Sequence, residues 1–221
     1  MEPQGKVLLI YFVADESGSM GNNIGELNDG LISLQDSLQR ESFAAAKVRL
    51  SVIGFSNDAF TYLDAADLRL TPSMPVLSAQ GLTSYRSAFD ELYLRISIDV
   101  PHLKAQGFSV LRPAVFFLTD GLPNEREDWR AAQRRLMSHP TAPNVLAFGI
   151  GDADPSVVSE LATRPEFALV AAHGRDTAAA VSDFIISLTQ SVISSGRNVA
   201  AGTAELQFER PAGFSLAVDM I

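Results

Sequence analysis

Apolar positions along this chain follow two rhythms. Residues 7–14 (VLLIYFVA) form an unbroken apolar run, the pattern of a central strand covered on both faces. Ile24, Leu27, Leu31, Leu34 and Leu38 then step by three or four, which predicts an amphipathic helix. Strand character returns at 47–55 (KVRLSVIGF). A shorter strand near 59–63 would pair with it as a hairpin around Ser56, Asn57 and Asp58. Residues 64–82 carry two prolines and a glycine with little period and read as a long loop. Helical spacing resumes with Phe89, Leu92 and Ile96 and is expected to stop before Pro101.

A third strong apolar run, PAVFFLTDG (113–121), is followed by a helix with Trp129, Ala132 and Leu136 turned inward. Its outward side carries Arg126, Arg130, Arg134 and Arg135, read as a solvated face or as a surface for an acidic or phosphorylated partner. VLAFGIG (145–151) reads as another buried strand, and Asp154-Pro155 as a helix start. A short strand near 167–171 precedes a last helix from Asp176, with Ala180, Phe184, Leu188 and Val192 on one face. Strands alternating with helices predict an α/β fold: a Rossmann-like, doubly wound, mostly parallel sheet with helices on both faces. The last stretch breaks that rhythm. Leu206, Phe208, Phe214, Leu216 and Val218 alternate around Arg210–Gly213, which predicts an appended β-hairpin. The expected division is therefore a main domain over 5–195 and a hairpin extension over 196–221.

Composition narrows the chemistry. The chain has 221 residues, is 47% apolar and carries a net charge of −9, against the basic surface that sequence-independent nucleic-acid binding needs. Without cysteine, disulfides, zinc-thiolate sites and cysteine nucleophiles are excluded. His102, His139 and His173 are scattered and have no helical-spacing partner, so a zincin site or serine–histidine triad has little to build on. No stretch approaches the ~20 apolar residues of a membrane span. Lys6 before the first apolar run imitates a short signal peptide, but Asp15 and Glu16 end it without a small-residue cleavage site, and a cytoplasmic location is expected.

In a doubly wound sheet, ligands bind beyond the carboxyl ends of the strands. The segments there are Asp15-Glu16-Ser17-Gly18-Ser19-Met20 and Thr119-Asp120-Gly121, with Gly81-Leu82-Thr83-Ser84 at a helix start. Their carboxylates and hydroxyls are hard oxygen donors that suit Mg²⁺, or less tightly Ca²⁺ or Mn²⁺. Plainer readings stand beside this one: Ser17 to Ser19 as a capped turn, Thr83 as a plain helix cap, Asp120 as a turn residue. Gly149-x-Gly151 is not a dinucleotide fingerprint, because Asp154 stands where the third glycine belongs.

Asp15-x-Ser17-x-Ser19 after a buried strand, then Thr83, then Asp120 within Thr-Asp-Gly, resembles the metal-ion-dependent adhesion site of von Willebrand factor A domains. Phe148-Gly149-Ile150-Gly151 also fits, and the resemblance covers about residues 5 to 195. It implies that Ser17, Ser19 and Thr83 give hydroxyl oxygens to the metal, that Asp15 and Asp120 act directly or through water, and that a protein partner supplies an Asp or Glu carboxylate. More narrowly, VLLIYFVADESGSM is similar to the start of bacterial TerY-like proteins, associated with tellurite-resistance loci beside a PP2C-type phosphatase and a protein kinase. Ser84-Tyr85-Arg86 departs from that group in bulk, which implies altered access to the metal. Two alternatives remain at this level. One is a haloacid-dehalogenase-type phosphotransferase, for which Ser17 stands where a second acid belongs and Lys104 is the only lysine after Lys47. The other is a domain that keeps the fold without binding metal.

Overall fold

A computed structural model describes residues 4–203 and 205–220. The first apolar run becomes β1 (Gly5–Asp15), buried from Val7 onward and flanked by strands on both sides. Along it, Leu8, Ile10 and Phe12 face one hydrophobic layer while Val7, Leu9, Tyr11 and Val13 face the other. That two-sided burial is why the run is continuous rather than alternating. Helix α1 (Ile24–Arg40) and the short α2 (Ser42–Ala45) follow, then β2 (Val48–Phe55) parallel to β1. Strand β3 (Ala59–Ala66) returns antiparallel to β2, as the turn residues predicted, and reaches three residues further than expected.

Helix α3 (Tyr85–Ala105) runs through Pro101 instead of stopping before it. The extra turn buries Leu103 beside Val100 in the same core layer, and that packing outweighs the lost backbone bond. The pattern gave no sign of β4 (Phe108–Val110), which pairs with the start of β1, before β5 (Ala114–Thr119) takes over the same side. Pro113 lies at that break, where its missing N–H cannot serve a ladder. Next come α4 (Trp129–Met137), β6 (Asn144–Gly149), α5 (Pro155–Leu161), β7 (Ala168–Ala171) and α6 (Thr177–Ala200). On α4, Arg130 pairs with Glu160 and Arg135 with Asp90, all at the surface, as a solvated face requires.

The carboxyl-terminal hairpin does not form. Residues 206–208 make no ladder with β8 (Phe214–Leu216); β8 pairs antiparallel with β7 and completes the order β3-β2-β1-β5-β6-β7-β8. The open edge of β7 offers β8 more than a two-stranded hairpin would. Residues 207 and 209 instead bond to serines of α6: the Gln207 amide to Ser195 Oγ at 2.9 Å and the Glu209 amide to Ser191 Oγ at 3.0 Å. Leu206 and Phe208 pack on the core, whereas Val218 is 55% exposed and leaves the predicted apolar face. Helix α6 also crosses the expected 195/196 boundary. By length and composition it could span a bilayer, contrary to the sequence reading; here its apolar stripe, including Phe184, Leu188 and Val192, is buried in the core.

Candidate metal centre

Strands β2 and β3 lie to one side of β1, and β5 onward to the other, so chain order reverses between β1 and β5. Such a switch point leaves a crevice beyond the carboxyl ends of the two strands. Asp15 ends β1 and is fully buried. One carboxylate oxygen accepts the Ser17 amide at 2.8 Å and the other the Thr119 hydroxyl at 2.6 Å. The hydroxyls of Ser17 and Ser19 lie 2.9 Å apart, and Ser19 Oγ donates to Asp120 Oδ1 at 2.7 Å. Thr83 enters from the loop before α3. A Cβ built on Gly121 would sit 3.9 Å from Thr83 Oγ1 and 4.0 Å from Ser19 Oγ, so both hydroxyls border one space. The fold thus brings Asp15, Ser17, Ser19, Thr83 and Asp120 together, with Ser19 exposed at the mouth.

Local geometry weighs against the plainer readings. Ser17 precedes a short 3-10 turn but makes no capping bond with its side chain. The cap of α3 is Ser84, whose hydroxyl accepts the Ser87 amide at 3.2 Å, which leaves Thr83 without that task. Asp120 reaches across to Ser19 rather than closing its own turn.

Burial raises the Asp15 carboxyl above the usual carboxylate range, against the opposing hydrogen bonds from Thr119 and Ser17. Burial, reinforced by the charge of Asp15, pushes Asp120 up to about 6. Neither carboxylate has an ion-pair partner among the described residues. Two buried acids without a counter-charge are costly, and a cation between them removes that cost. No group of three or more His, Cys, Asp or Glu occurs among the described residues; the donors here are two carboxylates and three hydroxyls, all oxygen, and such a set fits a hard divalent ion better than a soft one.

The supporting roles of several residues around this site escaped the sequence reading. Tyr85 is buried rather than on the rim. Its hydroxyl lies 3.0 Å from Thr119 Oγ1 and 2.9 Å from the Gly121 carbonyl, so it supports the Asp15 partner from behind, and of the segment expected to alter access by its bulk only Arg86 is exposed. Glu16 turns away from the crevice, accepting the Ser78 amide at 2.7 Å and the Tyr62 hydroxyl at 3.1 Å. Burial raises its carboxyl too. Asn124 and Glu127 tie the Thr83 loop to the Asp120 loop. Only their place in the stretch between β5 and α4 pointed toward them, and no spacing rule singles them out.

No family model and no curated protein matches the sequence. Among solved structures, the chain is similar to proximal thread matrix protein 1 of the mussel byssus, with TM-score 0.61 and 17% identity over 87% of this chain and 49% of that one. A second structure of that protein has a zinc-occupied metal-ion-dependent adhesion site. The pilus adhesin SpaC from Lactobacillus rhamnosus GG matches with TM-score 0.67 and 16% identity over 86% of this chain and 30% of that one. A von Willebrand factor type A protein from Catenulispora acidiphila matches with TM-score 0.54 and 18% identity over 85% and 43%. The chain thus spans half or less of the length of these matched chains. Its sheet order, its two helical layers and these matches lead to one conclusion: the chain has the von Willebrand factor A fold.

Proposed function

We propose that this protein is a metal-dependent protein-interaction module rather than an enzyme. Asp15, Ser17, Ser19, Thr83 and Asp120 hold a divalent cation; the all-oxygen donors suit a hard ion, and their small number suits Mg²⁺ better than Ca²⁺, which takes about six to eight ligands, with Mn²⁺ an alternative. The observation that carries this reading is the pairing of Asp15 and Asp120: two buried carboxylates, linked through Ser19 and its neighbour Ser17, with no ion-pair partner among the described residues. When bound, the ion supplies an electron-poor centre for an external carboxylate. Three neutral hydroxyls and two acids leave that demand unfilled, and the exposed mouth at Ser19 gives a partner's Asp or Glu a path to it. The fold, shared with an adhesin and a byssal matrix protein, supports interaction over catalysis.

A dehalogenase-type nucleophile is less well supported, since both oxygens of Asp15 are already taken by Ser17 and Thr119 and the carboxylate is fully buried. The finer part of the proposal, a cytoplasmic TerY-like protein acting with a PP2C-type phosphatase or a protein kinase, rests on the sequence of the first strand and loop. Calorimetric titration with Mg²⁺ and Mn²⁺ tests the core of it. The wild type binds one ion, and Asp15→Ala abolishes binding while its circular dichroism is unchanged; because the side chain is buried and accepts from Ser17 and Thr119, the variant is also somewhat less stable in EDTA. A fold that binds neither ion overturns the reading.

A further inference from the structure

Helix α3 begins beside the crevice, yet its first amides are not satisfied from its own segment alone. Ser84 accepts from Ser87, whereas the amides of Tyr85 and Arg86 donate to Glu127 Oε1, at 2.7 and 3.3 Å, from the loop that follows Asp120. Three residues earlier in that loop, Asn124 clasps Thr83 from both sides. Its Oδ1 accepts the Thr83 amide at 2.9 Å, and its own amide donates to the Thr83 carbonyl at 2.9 Å. The Tyr85 hydroxyl closes the seam on the Gly121 carbonyl. Thr83 is therefore the one residue of the five whose backbone is held at both N–H and C=O by the loop carrying Asp120.

We propose that Asn124 and Glu127 are positioning residues that fix the Thr83 hydroxyl relative to Asp120 and thereby make the site selective for Mg²⁺ over Ca²⁺. This rests on the metal-site reading above. The reason is geometric. Mg²⁺ demands near-octahedral oxygens at about 2.0–2.1 Å, while Ca²⁺ accepts six to eight ligands at about 2.3–2.6 Å in looser arrangements. A seam of hydrogen bonds between the two loops keeps the donor spacing from relaxing outward. A site freed of it widens, and the smaller ion loses more than the larger. Neither Asn124 nor Glu127 needs to touch the ion for this to hold.

The test is calorimetric titration of the full chain with Mg²⁺ and, separately, Ca²⁺. Asn124→Ala removes the Oδ1 acceptor and leaves the Thr83 amide unpaired, and Glu127→Ala does the same to Tyr85 and Arg86. Each is expected to weaken Mg²⁺ binding about 10–100-fold, the usual effect of removing a group that orients a ligand, with a clearly smaller loss for Ca²⁺. Asn124→Asp keeps the acceptor; its added charge strengthens both ions but restores the Mg²⁺-to-Ca²⁺ ratio, which general loosening of the fold would not. Amide exchange in EDTA gives a metal-free reading: Thr83 is protected in the wild type and exchanges faster in Asn124→Ala. Equal losses for the two ions, or a ratio that Asn124→Asp fails to restore, overturns the positioning role. A wild type that binds neither ion overturns the metal site itself, and the selectivity with it, even if Thr83 remains protected.

Discussion

Asp120→Asn should stabilise the metal-free protein. Burial, reinforced by the charge of Asp15, lifts the pKa of the Asp120 side chain from 3.8 to about 6, so at pH 7 it is ionised while buried. A shift of roughly two units, at about 1.4 kcal/mol each, means that the folded state bears a penalty of about 3 kcal/mol for keeping the charge at pH 7. Because the folded pKa is the higher one, the penalty is full above about pH 6 and disappears as the pH falls through 6 toward 3.8, where both states are protonated. Asparagine keeps the oxygen that accepts from Ser19 and carries no charge. Urea unfolding in EDTA should therefore show Asp120→Asn more stable than wild type by up to about 3 kcal/mol at pH 7, a rise in Tm of at least several degrees for a chain of this size. The gap should close by about pH 4. With Mg²⁺ at 100 times its Kd the wild type gains about 2.7 kcal/mol and the variant gains nothing, so the gap closes and the two become about equally stable. A variant no more stable than wild type in EDTA at pH 7, or a gap that does not shrink with acid, would refute the account of an uncompensated acid pair.

Other expectations follow from particular contacts. Truncation after Arg197 removes β8 from the sheet together with Phe208 and Phe214, whose rings lie 6.0 and 6.2 Å from Phe148. Since losing one buried Phe side chain costs about 3–5 kcal/mol against a total margin of about 5–15, the shortened chain should lack a cooperative thermal transition; a sharp transition near the full-length Tm would show the segment to be an accessory after all. Gly54→Ala places a Cβ onto Glu16 Oε2 and within 2.7 Å of Tyr62 Cε2. It should cost about 1–3 kcal/mol and speed amide exchange at Ser78, which Glu16 holds. Binding to the physiological partner should be lost in EDTA and return with Mg²⁺, and a partner with its Asp or Glu changed to the amide should not bind; EDTA-insensitive binding read by calorimetry would shift the contact to another face.

The sequence alone determined the layered α/β architecture, because burial on both faces leaves its mark as unbroken apolar runs such as residues 7–14, and helix faces leave theirs at Leu27, Leu31 and Leu34. It also marked the five candidate ligands, since a switch-point site must be built from the few residues that directly follow the central strands. What it did not carry were choices made between segments far apart in the chain. Alternation at 206–218 recorded which side chains turn inward, yet the open edge of β7 decided that β8 joins the sheet while Gln207 and Glu209 lie on the serines of α6. Pro101 reads locally as a stop, and burial of Leu103 beside Val100 overrode it. The supporting roles of Tyr85, Asn124, Glu127 and Glu16 are not legible in the sequence because each acts through a hydrogen bond to a residue more than 30 positions away. Pattern reports how a residue meets water or the core; which polar group it meets there is settled only when the loops come together.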